Sequence, residues 1–138
     1  EHPQLIVLDE VRADEPAMIA PLLANEDAPR QIWSFRGTTV TKRLQSSLSM
    51  LARMADSTQS EHMVYQLHRR LPFVVSLKLR QGQLQLREIA EWQFPEASPA
   101  EDDAPIYANY VPLLEFGDTL TGKRPQNQLN LPDTFWTN

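Results

Sequence analysis

Hydrophobic positions open the chain as a block: Leu5-Ile6-Val7-Leu8 runs without a polar interruption and ends in Asp9, Glu10, Val11 and Arg12. An unalternated aliphatic run predicts a parallel strand covered on both faces, and open α/β sheets place their ligands at the C-terminal ends of such strands. The spacing then changes. Met18, Ile19, Leu22 and Leu23 follow a helical period, with Asp14 as N-cap and Glu15 and Pro16 in the first turn, where an acid and a proline are both favoured. Pro21 lies inside this stretch and predicts a kink or a split. After the polar turn from Asn25 to Pro29, Gln31 to Phe35 reads as a second short strand. Together these make a β-α-β unit, which connection rules require to be parallel and right-handed.

Val40, Leu44, Leu48, Leu51 and Ala55 keep the three-and-four spacing of one buried helix face, capped by Thr38 or Thr39. A second helix carries Met63, Val64, Leu67 and Leu71. Its expected capping box is Thr58 with Glu61, Arg69 and Arg70 suit its negative end, and Pro72 stops it. From Phe73 the period falls to two: Val75, Leu77 and Leu79 alternate with Ser76, Lys78 and Arg80, and Gln81-Gly82-Gln83 turns the chain back into Leu84-Gln85-Leu86. The pattern predicts an antiparallel hairpin with one wet face, its return strand running raggedly to Phe94 with a bulge near Arg87 and Glu88. Pro95 to Pro105, with three prolines and four acids, predicts an exposed loop. Tyr107 to Phe116 reads as a further strand, and Phe135-Trp136 as an aromatic anchor in the tail. The domain reading is a core over 1–94, an acidic Pro-rich loop over 95–106, and a C-terminal strand and tail over 107–138 packed on the same domain.

Composition narrows this picture. A chain of 138 residues supports one core. No apolar run approaches the roughly 20 residues of a membrane-spanning helix, so a water-soluble, cytoplasmic protein is expected. The formal charge is -5, and the thirteen Lys and Arg residues are scattered rather than clustered, which argues against a nucleic-acid surface and for protein partners. The absence of Cys removes disulfides, thiol nucleophiles and thiolate metal sites. No Ser or Thr is accompanied by His and Asp in a triad-like order. His62 and His68 are six apart, a spacing that does not put them on one helix face, and they read as surface residues. Trp33, Trp92 and Trp136 read as core or interface anchors. The chain opens on Glu1 rather than Met, which reads as a fragment or a processed product.

The order of these pieces resembles the C-terminal half of the type II/IV secretion ATPases, the motors of pilus assembly, conjugation and protein secretion. Their Walker B segment has the form R-x-x-P-D-x-I-x-x-G-E-x-R, and His2-Pro3-Gln4-Leu5-Ile6-Val7-Leu8-Asp9-Glu10-Val11-Arg12 is similar to it in Pro3, the aliphatic run, Glu10 and Arg12. Asp9 stands where that family has Gly. Roughly twenty-five residues on, the family has a histidine box, S-x-x-T-L-H-x-N, and this chain has Gln31-Ile32-Trp33-Ser34-Phe35-Arg36-Gly37-Thr38, with Arg36 in the histidine position. The return strand Leu86-Arg87-Glu88-Ile89-Ala90-Glu91-Trp92 resembles the family's R-x-V-x-E-I-x-E. The glycine-rich phosphate loop and the acidic Asp box are not in the sequence.

The resemblance implies an α/β fold: a RecA-like P-loop core fragment with a parallel β-α-β portion, two packed helices and an antiparallel hairpin. It implies Glu10 as the catalytic residue orienting water, Asp9 as the magnesium residue acting through a water, and Arg12 and Arg36 as nucleotide-binding residues. ATP and Mg2+ are the implied cofactors, both conditional on a phosphate loop supplied elsewhere. The implied partners are secretion or pilus machinery proteins and, in the full-length form, a hexamer of the same chain at the cytoplasmic side of the inner membrane, peripheral to the membrane complex. The residues also carry a plainer reading. Asp9 and Glu10 can be two exposed acids starting a loop, Arg12 can pair with Asp14 or Glu15, and Arg36 can be a surface residue. An arginine clamps phosphate but does not exchange protons near neutral pH as histidine does. The alternative function is a degenerate, non-catalytic module that binds a secretion-system partner.

Overall fold

The computed structural model describes residues 3–12, 14, 16–36, 41–95, 108–115 and 119–127. The expectations for Thr38, Thr39 and Val40, for the loop beyond Pro95 and for the tail from Leu129 to Trp136 lie outside those residues. The chain is mixed α/β and divides into two compact units, Glu1–Leu71 and Pro72–Asn138, so the boundary falls inside the 1–94 span grouped from sequence.

In the first unit, strand β1 (Leu5–Leu8) pairs in parallel with β2 (Arg30–Trp33), placing Leu5 opposite Arg30 and Leu8 opposite Trp33. The aliphatic run is not covered on both faces. Leu5, Val7 and Ile32 share an exposed face, and only the alternate side chains are partly buried. The β-branched and aliphatic content of the run accounts for its being a strand, but what lies over each face is decided by packing.

The connection contains a 3-10 turn (Pro16–Ile19) leading into the short helix α1 (Ala20–Ala24), which is the split expected at Pro21. Pro21 sits in the first turn of α1, where its missing N–H leaves no intrahelical bond unmade. Ile19 and Leu23 are buried while Met18 is exposed. Helices α2 (Thr41–Ala55) and α3 (Ser60–Arg70) pack on one another, α2 also on the 3-10 turn and α3 on α1. Leu48, Leu51, Ala52, Met63, Val64 and Leu67 form the core between them. Arg70 ties the end of α3 to the connection: its Nε donates to the carbonyl of Leu23 at 2.9 Å, and its Nη2 donates to the carbonyl of Asn25.

Two local expectations are corrected. The Thr58/Glu61 capping box does not form, because Asp56 captures Thr58 instead, accepting its N–H at 2.9 Å and its hydroxyl at 2.6 Å. Glu61 pairs with Arg53 at 2.9 Å. An Asx turn thus competes successfully with the cap, and the helix starts after Gln59 with no side-chain cap. His68 is not a surface residue: it is 2% exposed, and its Nδ1 donates to the Val64 carbonyl at 2.9 Å.

The second unit is a four-stranded antiparallel sheet in the order β3 (Phe73–Arg80), β4 (Gln83–Gln93), β5 (Asn109–Glu115), β6 (Thr119–Leu120). The β3-β4 turn has positive φ at both central residues, 51° at Gln81 and 75° at Gly82, which is the type I′ geometry that matches strand twist. Ser76 faces Glu88 but Leu77 faces Leu86, so Arg87 is the extra residue of a bulge where the sequence pattern predicts one. Trp92, Ala90, Leu113 and Ala108 are buried, and the Trp92 ring meets Tyr110 edge-on with centroids 5.0 Å apart.

Near the C-terminal end of β4 the fully buried Glu91 carboxylate accepts four hydrogen bonds: from the backbone N–H of Gln126 (2.6 Å) and Asn127 (2.9 Å), from Asn127 Nδ2 (2.9 Å) and from Gln93 Nε2 (2.7 Å). A buried charge is tolerated when its lone pairs are satisfied in this way, and here it pins the segment after β6 to the sheet.

Candidate functional site

The C-terminal ends of β1 and β2 lie side by side because the strands are parallel and in register, so the residues just beyond each strand are brought to one edge. After Leu8 and Trp33 the backbone pairing continues through a single residue, Ser34. Its N–H donates to the Leu8 carbonyl at 2.9 Å and its carbonyl accepts the Val11 N–H at 2.9 Å. Two residues of the first segment, Asp9 and Glu10, are therefore looped out opposite one residue of the second. Glu10 takes a left-handed backbone, φ 49°, a conformation costing a non-glycine residue on the order of 1 kcal/mol.

The Ser34 hydroxyl holds this loop from inside. Its Oγ accepts the Glu10 N–H at 2.8 Å and donates to Asp9 Oδ1 at 2.7 Å. The Glu10 carboxylate is then set between two guanidinium groups: Oε1 lies 2.5 Å from Arg36 Nε and Oε2 lies 3.1 Å from Arg12 Nη2. Both arginines are largely exposed and Glu10 is about one-third exposed, 34% for its side chain, so the cluster faces solvent. Charge-assisted bonds of this kind are strong in geometry but weak in net energy at a wet surface, on the order of 1 kcal/mol or less each.

All four sequence-predicted site residues, Asp9, Glu10, Arg12 and Arg36, are thus brought together, although Asp9 and Arg36 come from segments on either side of the α1 connection. Among the described residues Arg12 pairs with Glu10; the pairing with Glu15 offered by the sequence lies outside the described residues. Sequence reasoning missed Ser34, whose hydroxyl makes two of the cluster's cross-strand bonds, to the Glu10 N–H and to Asp9 Oδ1, beside the Arg36–Glu10 ion pair. The signal available was a hydroxyl residue two positions before Arg36, at the strand end.

Beneath the cluster, Trp33 Nε1 donates to Gln31 Oε1 at 2.9 Å and Gln31 Nε2 donates to the Leu22 carbonyl at 2.8 Å, which anchors β2 to α1. Among the described residues no three His, Cys, Asp or Glu side chains converge as a metal-binding group. The oxygen ligands the cluster offers a hard cation are the Asp9 carboxylate and the Ser34 hydroxyl. These two oxygens are hydrogen-bonded to one another at 2.7 Å.

Comparison with protein-family models, curated proteins and solved structures returned no match. Among the described residues no helix is long and apolar enough to cross a membrane.

Proposed function

We propose that this chain is the C-terminal, RecA-like portion of a secretion, conjugation or pilus-assembly motor ATPase, hydrolysing ATP only together with a phosphate loop from another part of the polypeptide. The observation that carries the reading is the convergence of Asp9, Glu10, Ser34 and Arg36 at the C-terminal ends of adjacent parallel strands. The residues of the Walker B-like and histidine-box-like segments would sit together in this way if both served one phosphate-handling edge.

In this reading ATP with Mg2+ supplies the scissile phosphoanhydride and its charge neutralisation. Asp9, oriented by Ser34, is the acid available to a hydrated cation. Arg12 and Arg36 are the cations available to phosphate oxygens, and Glu10 is the carboxylate available to orient water once those arginines turn to phosphate. Attachment to the secretion or pilus machinery, a hexameric full-length form and a place at the cytoplasmic side of the inner membrane belong to the same reading.

The test uses the full-length gene product. Calorimetry should show magnesium-dependent ATP binding, and Glu10→Gln should retain that binding while lowering kcat by about 10²–10⁴-fold, the usual scale for loss of a positioned base. Unchanged hydrolysis in Glu10→Gln, or no nucleotide binding at all, ends the motor reading.

A second reading, a non-catalytic module that binds a secretion-system partner, is favoured by the engagement of both Glu10 oxygens with arginine. An ion-pair cluster closed on itself in this way needs no ligand. Failure to bind ATP in a folded full-length protein selects it.

A further inference from the structure

The Glu10 carboxylate lies between two guanidinium groups from different segments, and each of its oxygens serves one of them. Oε1 is 2.5 Å from Arg36 Nε and Oε2 is 3.1 Å from Arg12 Nη2. The planar guanidinium fork pairs with carboxylate and phosphate oxygens in the same geometry. The carboxylate is therefore an internal substitute for a phosphate oxyanion.

Its backbone and its side chain are held in different ways. The Glu10 N–H donates to Ser34 Oγ at 2.8 Å, and the Val11 N–H donates to the Ser34 carbonyl at 2.9 Å, so the loop is fixed by Ser34 with Glu10 at φ 49°. Among the described residues the bonds to the carboxylate itself come from Arg12 and Arg36. Rotation about the Glu10 side-chain bonds thus releases both arginines while the loop stays in place. The release costs little, because the Arg12 and Arg36 side chains are 70% and 89% exposed and ion pairs at such a surface are screened and weak. The neighbouring acid is engaged elsewhere: Asp9 Oδ1 accepts the Ser34 hydroxyl at 2.7 Å.

We propose that Glu10 is a displaceable gate on a phosphate-binding pair of arginines. In the ligand-free chain it occupies and neutralises Arg12 and Arg36, and the oxyanion of an incoming phosphoanhydride displaces it, turning the carboxylate out and presenting both guanidinium groups to phosphate oxygens. The inference rests on the motor reading for assigning phosphate to these arginines, and it adds that phosphate binding and release of Glu10 are one step. The consequence runs opposite to that of a supporting contact: removing the Glu10 charge improves phosphate binding.

The test is calorimetry of this chain with inorganic pyrophosphate at low ionic strength and without magnesium, with circular dichroism confirming that each variant folds. Glu10→Gln should bind pyrophosphate about three- to tenfold tighter than the parent chain, the scale of surface ion pairs that no longer compete. Asp9→Asn removes the same charge one residue away and keeps an acceptor for Ser34, but frees no arginine, and should leave the affinity within about twofold. Adding Arg36→Gln to Glu10→Gln should cancel the gain. In proton-nitrogen correlation spectra the Arg36 Nε–H resonance should move when pyrophosphate is added to the parent chain, and in Glu10→Gln it should be displaced before any is added. Pyrophosphate binding no tighter in Glu10→Gln overturns the gate. Equal gains in Asp9→Asn and Glu10→Gln also overturn it, by reducing the effect to net charge, as does a gain that survives Arg36→Gln. The motor reading is judged separately, by ATP binding to the full-length product. The expected pyrophosphate pattern without ATP binding ends the motor reading and leaves a gated oxyanion site, whereas ATP binding with unchanged pyrophosphate affinity in Glu10→Gln ends the gate and leaves the motor.

Discussion

At the scale of single residues, the cluster at the ends of β1 and β2 and the buried ionisable groups Glu91 and His68 behave in opposite ways. Glu10, Arg12 and Arg36 are solvent-facing, so Glu10→Gln should change stability by less than about 1 kcal/mol in chemical denaturation, even though both of its ion pairs are altered. Glu91 is fully buried with four donors aimed at it. Glu91→Gln keeps the shape but replaces one acceptor oxygen with an amide that faces N–H groups, and should cost about 3 kcal/mol in the same measurement. His68 supplies a pH dependence. Burial lowers its pKa from the ordinary 6.5, outweighing the opposing hydrogen bond to the Val64 carbonyl. The unfolded chain therefore binds its proton more readily than the folded one, so stability rises with pH across the window below 6.5 and is lost as pH falls through it. Denaturation midpoints should drop between about pH 7 and pH 5, and His68→Gln should flatten that slope; an unchanged slope would show that other groups set it. Glu10 and Arg36 are legible as candidates from strand-end position alone. Ser34 is not, because a lone serine carries no signal until a second strand is placed beside it. The burial of His68 is hidden because its context on a polar-looking stretch, Gln66 to Arg70, does not reveal which way the helix turns it.

At the scale of elements, the period of apolar positions locates α2, α3 and the hairpin, and turn chemistry explains the remaining details. The Gln81-Gly82 turn needs positive φ at both positions, and glutamine is a poor residue for the first. Gln81→Asn should stabilise by up to about 0.5 kcal/mol, because asparagine tolerates the left-handed region at lower cost. Gly82→Ala should destabilise by about 1 kcal/mol through backbone strain alone, since a Cβ there meets nothing within 4 Å. Thermal unfolding of the two variants checks both signs; equal shifts in one direction would refute the turn assignment. The failed capping box shows the limit of motif reading. Thr58 and Glu61 have the right spacing, but Asp56, two residues before Thr58, accepts both its N–H and its hydroxyl, bonds that also draw the Asp56 pKa below its usual range.

At the scale of the whole molecule, the chain comprises a helical unit carrying the β1-β2 pair and a sheet unit built on Trp92 and Glu91. Leu67 is completely buried in the first, and Leu67→Ala should cost about 2–5 kcal/mol by cavity formation, whereas Leu77→Ala, on the exposed hairpin face, should cost less than about 1 kcal/mol. Denaturant midpoints separate the two, and similar losses would mean that the hairpin face is covered in solution. Apolar periodicity and proline and glycine placement determine element type and order by local physics: side-chain period, missing N–H groups and positive φ act within a few residues. They also set the bulge at Arg87, where the alternation visibly slips. Only the tertiary structure decided which apolar faces are covered. Leu5, Val7, Leu77 and Leu79 have the same patterning as core residues yet remain exposed, since coverage depends on what packs above them. Tertiary pairing also turned Asp9, Glu10, Ser34 and Arg36 into one cluster, because parallel register acts across roughly twenty-five residues of intervening chain and leaves no trace in the local pattern.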